Sequence, residues 1–204
     1  MTMKAALFDL DGTVIDTEAQ YTECWGNIGN RYCPDISDFA HRIKGTTLTQ
    51  ILERYFPDKS THAEVEKWID DWEAQMDYPY IRGAREYIES LKKQNIKCAV
   101  VTSSNEKKMS YVLRQHPEFE TLFDRIFTSE DFTASKPDPD CYLQASRKLN
   151  VKKKDCVVFE DAFTGLEAGR RAGIYTIGLA TTNPKENIID KCDRVISDYT
   201  ELLN

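Results

Sequence analysis

The chain has 204 residues, 41% of them hydrophobic and 30% charged, and a formal net charge of −7. Such a make-up suits a water-soluble protein with one large core and a smaller appendage, and its acidic balance argues against a broad nucleic-acid face but not against an anionic substrate in a local pocket. No apolar run approaches the ~20 residues of a membrane span, the N-terminus carries no signal-peptide pattern, and six scattered cysteines without a CxxC pair point to the reduced cytoplasm.

The first short apolar run, "AALF" (5–8), is followed at once by "DLDGT", which sets Asp9 and Asp11 one residue apart. Residues two apart in a strand share a face, so both carboxylates are expected to project toward one site while Leu10 turns into the core. From 17 to 80 the chain offers helix-length segments and no convincing strand. In "EVEKWIDDWEAQM" the residues Val65, Trp68, Ile69, Trp72 and Met76 recur at helical spacing. They predict a stripe packed inside a helical bundle, favoured over an aromatic ligand cage. Beyond 80 the pattern alternates. Apolar runs "IKCAVV" (96–101), "RIFTS" (125–129), "CVVF" (156–159), "IYTIGL" (174–179) and "RVIS" (194–197) are separated by helical patterns such as "AREYIESLKKQ" and "NEKKMSYVLRQH". Strand alternating with helix predicts an α/β fold with a doubly wound, mostly parallel sheet. The expected division is a core of residues 1–16 and 81–204, interrupted after the first strand by an all-helical insertion over 17–80.

Each buried run is followed by polar residues: Asp9, Asp11 and Thr13; then Thr102, Ser103 and Ser104; then Lys136 in "SKPDP"; then Glu160 and Asp161. Parallel strands bring these sets to one carboxyl edge, where such sheets bind ligands. Two neighbouring carboxylates repel unless a cation neutralises one and the other can hold a proton. Mg²⁺ suits that role, with oxygens from Asp9, Asp161 and Glu160. Thr102, Ser103 and Lys136 offer donors to an anion. Singly, each residue has a plain structural explanation as a turn, a helix N-cap or a solvated lysine. Their shared placement is what points to metal-assisted phosphoryl chemistry.

"DLDGT", "VVTSS", "SKPDP" and "VFEDAFTGLEAGRRAG", in that order, resemble the four motifs of the haloacid dehalogenase superfamily. The insertion after the first strand resembles the helical cap of its branch of β-phosphoglucomutase and of sugar-phosphate and phosphoglycolate phosphatases. The resemblance implies that Asp9 is the nucleophile forming an aspartyl-phosphate and that Asp11 is the acid/base, its backbone carbonyl binding Mg²⁺. Thr102, with Ser103 beside it, and Lys136 then hold phosphate; Asp161 binds the metal, supported by Glu160. The expected activity is Mg²⁺-dependent hydrolysis of a small phosphorylated metabolite, with no nucleic-acid or membrane partner; the oligomeric state stays open and is compatible with a monomer. A sugar-phosphate mutase is the alternative enzyme, but "KGTTLTQ" shows Thr46 and Thr47 where those mutases carry an arginine, with Lys44 a partial substitute, and Tyr21 replaces an early histidine. A non-enzymatic phospho-acceptor or binding protein fits less well. His41, His62 and His116 match no catalytic position.

Overall fold

The computed structural model describes residues 2–44 and 46–203, so Gly45 of "KGTTLTQ" lies outside the described residues. Its strands are β1 (Ala5–Phe8), β2 (Lys97–Val101), β3 (Arg125–Phe127), β4 (Cys156–Glu160), β5 (Tyr175–Leu179) and β6 (Arg194–Ile196). They form one sheet in the order β3-β2-β1-β4-β5-β6, with every neighbouring pair parallel. The runs expected at 96–101, 125–129, 174–179 and 194–197 each lose one or two end residues, whereas Glu160 joins β4.

Alternation decides what each face of the sheet meets. Ala6, Phe8, Cys98, Val100, Val157 and Phe159 turn to one side, and Ala5, Leu7, Ala99, Val101, Cys156 and Val158 to the other. Both sets are buried because helices cover both faces. The first face is covered by α5 (Ala84–Lys93), α6 (Glu106–Gln115) and the short α7 (Phe119–Leu122), with Tyr199 from the C-terminal segment. The second is covered by α8 (Asp140–Lys148) and α9 (Phe163–Ala172). Phe8 stacks on Phe159 across β1 and β4 with ring centroids 4.6 Å apart. Full burial of such a side chain contributes roughly 1.5–3 kcal/mol. The pair therefore fastens the two strands that carry the acidic residues.

Between β1 and α5 lie α1 (Glu18–Tyr32), α2 (Phe39–Arg42), α3 (Leu48–Tyr55) and α4 (His62–Glu73), with no strand among the described residues of this stretch. These helices share a cluster of their own, including Ile28, Phe39, Ile51, Leu52, Val65 and Ile69. Thr47 starts α3 with a capping box closed by Gln50, which gives that threonine a helix-capping role. The expected stripe divides: Val65 and Ile69 are buried, Trp68 and Trp72 only partly, and Met76 lies past the end of α4 in the sheet-side cluster. The chain enters and leaves this helical stretch at one place. Asp16 N–H donates to Pro79 O (2.7 Å), Ile81 N–H donates to Val14 O (2.9 Å), and Ile15 and Tyr80 form an isolated antiparallel bridge.

Candidate active site

The sheet reverses its winding at β1, with β2 on one side and β4 on the other, and the polar residues collect at that switch point. Strand β1 stops at Phe8, so Asp9 and Asp11 stand on the loop beyond it rather than on strand geometry; Leu10 nonetheless turns into the core. Gly12 closes this loop at φ +73°, a left-handed conformation in which a side chain would also strike Thr182 Oγ1 at 2.6 Å.

Lys136 is the centre of the buried part. Its ammonium donates to Asp9 Oδ1 (2.6 Å), Glu160 Oε1 (2.6 Å) and the carbonyl of Val101 (3.1 Å). All three of its hydrogens are therefore engaged. Burial works against the charge on Lys136, but Asp9 and Glu160 outweigh it and push its pKa well up. Glu160 is saturated: Oε1 also accepts from Tyr142 Oη (3.0 Å), and Oε2 accepts from the backbone N–H groups of Asp161 (3.0 Å) and Ala162 (3.1 Å). Asp161 accepts from Thr13 Oγ1 (2.9 Å) and from Thr182 Oγ1, and its carbonyl takes the Asn183 side-chain amide (3.0 Å).

Asp9, Glu160 and Asp161 bring one carboxylate oxygen each within 4.8 Å of the others. Such crowding favours the protonated forms. Burial, with Glu160 and Asp11 adding to it against the pull of Lys136, pushes Asp9 up to about 7. Burial and the charges of Glu160, Asp9 and Glu18 drive Asp161 well above the carboxylate range. The trio is short of positive charge, and its hard oxygen donors suit a divalent cation. With Glu160 fully engaged, Asp9 and Asp161 keep the free lone pairs.

Asp11 stands outside this trio. Thr17 Oγ1 donates to its Oδ1 (2.6 Å), while Ser104 Oγ (3.0 Å) and the Lys108 ammonium donate to Oδ2. Thr102 is buried, and its Oγ1 accepts the Ser104 N–H at 3.0 Å. That leaves the Thr102 hydroxyl hydrogen for another acceptor. Asp9, Asp11, Thr102, Ser103, Lys136, Glu160 and Asp161 all line one cavity of about 740 Å³ between the sheet edge and helices α1 to α4. Every residue expected at the site thus reaches it. None of the three histidines does, as expected. Lys44, the partial substitute for the missing arginine, is tied to Glu18 at 2.6 Å.

Sequence reasoning missed Lys108, Thr17, Thr182 and Tyr142. Lys108 did leave a signal, since it lies one turn before buried Val112 on the inner face of α6, where a lysine is out of place. The hydroxyl groups left none.

Fold and site define a hydrolase of phosphoric monoesters. Residues 6–179 match the profile of haloacid dehalogenase-like hydrolases, and the chain belongs to that family. It is 31% identical to validoxylamine A 7'-phosphate phosphatase of Streptomyces hygroscopicus subsp. limoneus, covering 98% of this chain and 95% of the relative. It is 30% identical to β-phosphoglucomutase of Bacillus subtilis, over 99% of this chain and 94% of that protein. A family IA, variant 3 hydrolase of the same superfamily from Entamoeba histolytica superimposes with a TM-score of 0.83 at 30% identity, over 98% of this chain and 95% of the other.

Proposed function

We propose that the protein is an Mg²⁺-dependent phosphatase of small phosphorylated metabolites, sugar phosphates or close analogues, working through an aspartyl-phosphate on Asp9. The single observation that carries this reading is the junction of Lys136 with Asp9 and Glu160 beside Asp161, at the floor of a cavity that also holds Asp11. Asp9 and Asp161, with the Asp11 carbonyl, would hold the Mg²⁺, which supplies positive charge for the phosphoryl oxygens. Glu160 supports the site by anchoring Lys136.

In the first step an Asp9 oxygen attacks phosphorus, the ester P–O bond breaks, and the departing oxygen takes a proton from Asp11. In the second, Asp11 takes a proton from water as that water attacks phosphorus. The bond between phosphorus and Asp9 then breaks, releasing phosphate and restoring Asp9 as the carboxylate and Asp11 as the protonated acid. Lys136 fixes Asp9 in position, and the hydroxyls of Thr102 and Ser103 face the incoming phosphoryl group. The helical stretch 17–80 acts as a cap that closes the cavity and selects the leaving group.

Hydrolysis is favoured over phosphoryl transfer between sugar positions because no arginine lines the cavity among the described residues, and Lys44 is already paired. Asp9→Asn is expected to fold normally and to lose turnover of an aryl phosphate by at least about 10³-fold, covalent catalysis having been removed. Turnover at the wild-type rate would refute the assignment. Phosphate release measured beside isomer formation from β-glucose 1-phosphate tests hydrolysis against transfer, release being expected to dominate.

A further inference from the structure

We propose that Lys108 is a positioning residue that fixes the orientation of the acid/base Asp11 and ties it to the helical cap through Tyr21 and Glu73. The inference rests on the phosphatase reading given above and adds a residue to it.

The side chain of Lys108 is only 3% exposed. Desolvating an ammonium costs several kcal/mol, so a buried lysine persists only where its surroundings compensate. Two groups do so. The Asp11 carboxylate accepts its hydrogen bond, and the Tyr21 ring lies beneath the ammonium, 4.5 Å from nitrogen to centroid. Backbone geometry fixes the starting point: Asn105 caps α6 by accepting the Lys108 N–H at 2.8 Å, so the side chain leaves the first turn of a defined helix.

The second half of the link belongs to the helical stretch. Tyr21, on α1, donates its hydroxyl to Glu73 Oε1 (2.6 Å) at the end of α4. Glu73 is buried and close enough to sense the Lys108 charge, and its own carbonyl accepts the Tyr78 hydroxyl at 2.6 Å. Lys108 therefore touches the carboxylate beside the chemistry, and the aromatic ring beneath it carries the link on to the carboxylate on the cap. Thr17, at the entrance to α1, binds the other oxygen of Asp11. The acid/base is thus gripped from the cap side as well as the sheet side. A shift of α1 relative to α6 would move Tyr21 under Lys108 and alter the direction in which Asp11 points.

Leaving-group dependence separates this role from a general structural one. An alkoxide departs only with a proton, whereas p-nitrophenolate departs without one. In Lys108→Met the first-turnover release from an alkyl phosphate should fall much further than that from p-nitrophenyl phosphate. The ratio of the two rates should change by about tenfold or more, within the span that a positioned acid supplies. Lys108→Arg should recover part of that ratio. Tyr21→Phe keeps the ring but drops the bond to Glu73, and should shift the ratio in the same sense by a smaller factor. Equal losses on both esters, or no loss on either, would overturn the proposal. If Lys108→Met does not fold, the Tyr21→Phe ratio decides by itself, an unaltered ratio overturning the link. Failure of the wild-type protein to hydrolyse either ester would instead sink the phosphatase reading.

Discussion

The carboxylate of Glu160 occupies the space where a Cβ on Gly165 would stand, so the first turn of α9 leaves room for the acid that anchors Lys136. Gly165→Ala is expected to displace Glu160 and with it the Lys136–Asp9 pair. The cost should be about 1–3 kcal/mol, as for other overpacked cores, with a lower kcat on any phosphate ester. Chemical denaturation and steady-state kinetics on one preparation would check both. How much of this was legible varies from residue to residue. Asp9, Asp11, Lys136 and Asp161 could be read because each directly follows a buried strand or sits in a short constrained loop, and parallel pairing converts that position into proximity. Thr182 and Tyr142 reach the acids from a loop past β5 and from α8, and nothing in a lone threonine or tyrosine says which way it faces. Gly165 lies within "VFEDAFTGLEAGRRAG", but only the fold shows what its missing side chain makes room for.

At the level of elements, the sheet and the helical stretch have separate cores joined by few side chains. Tyr21 and Trp72 pack against both clusters, whereas Ile28 is fully buried inside the helical one. Ile28→Ala should cost about 2–5 kcal/mol within that cluster. Its effect on amide hydrogen exchange is expected to concentrate in α1, α3 and α4 and to leave β1, β2 and β4 protected, because local opening follows cooperative units. Uniform loss of protection would show one indivisible core. The alternating strands were readable from their apolar runs, and only their end residues shifted. The α4 stripe was read less well, since spacing alone cannot show that the helix ends at Glu73 and leaves Met76 to pack against the sheet. It also cannot show that Trp68 and Trp72 border an open groove beside Arg31.

For the molecule as a whole, the buried acids set how stability responds to pH and to cations. Asp9 and Asp161 hold protons more tightly in the folded protein than at their ordinary value of 3.8. Between that value and about 7 these two groups therefore hold more protons in the metal-free folded state than in the unfolded chain, and their contribution to stability falls as pH rises through this window. On the proposed reading, a bound divalent cation would take the place of those protons. Saturating Mg²⁺ should raise the melting temperature more at pH 8 than at pH 5, and Mg²⁺ titrated into weakly buffered protein near pH 6 should release protons. Calorimetry at both pH values checks the sign, and an equal or reversed Mg²⁺ effect would contradict it. Among the described residues, no helix is long and apolar enough to cross a membrane. The paired backbone bonds at Asp16–Pro79 and Val14–Ile81 carry a consequence for how such a molecule can change over time. With both ends of the helical stretch clasped together on the rim of the sheet, a change of length in the outer helices need not pull the strands beneath out of register, provided that Thr17 and Tyr21 keep their places beside Asp11.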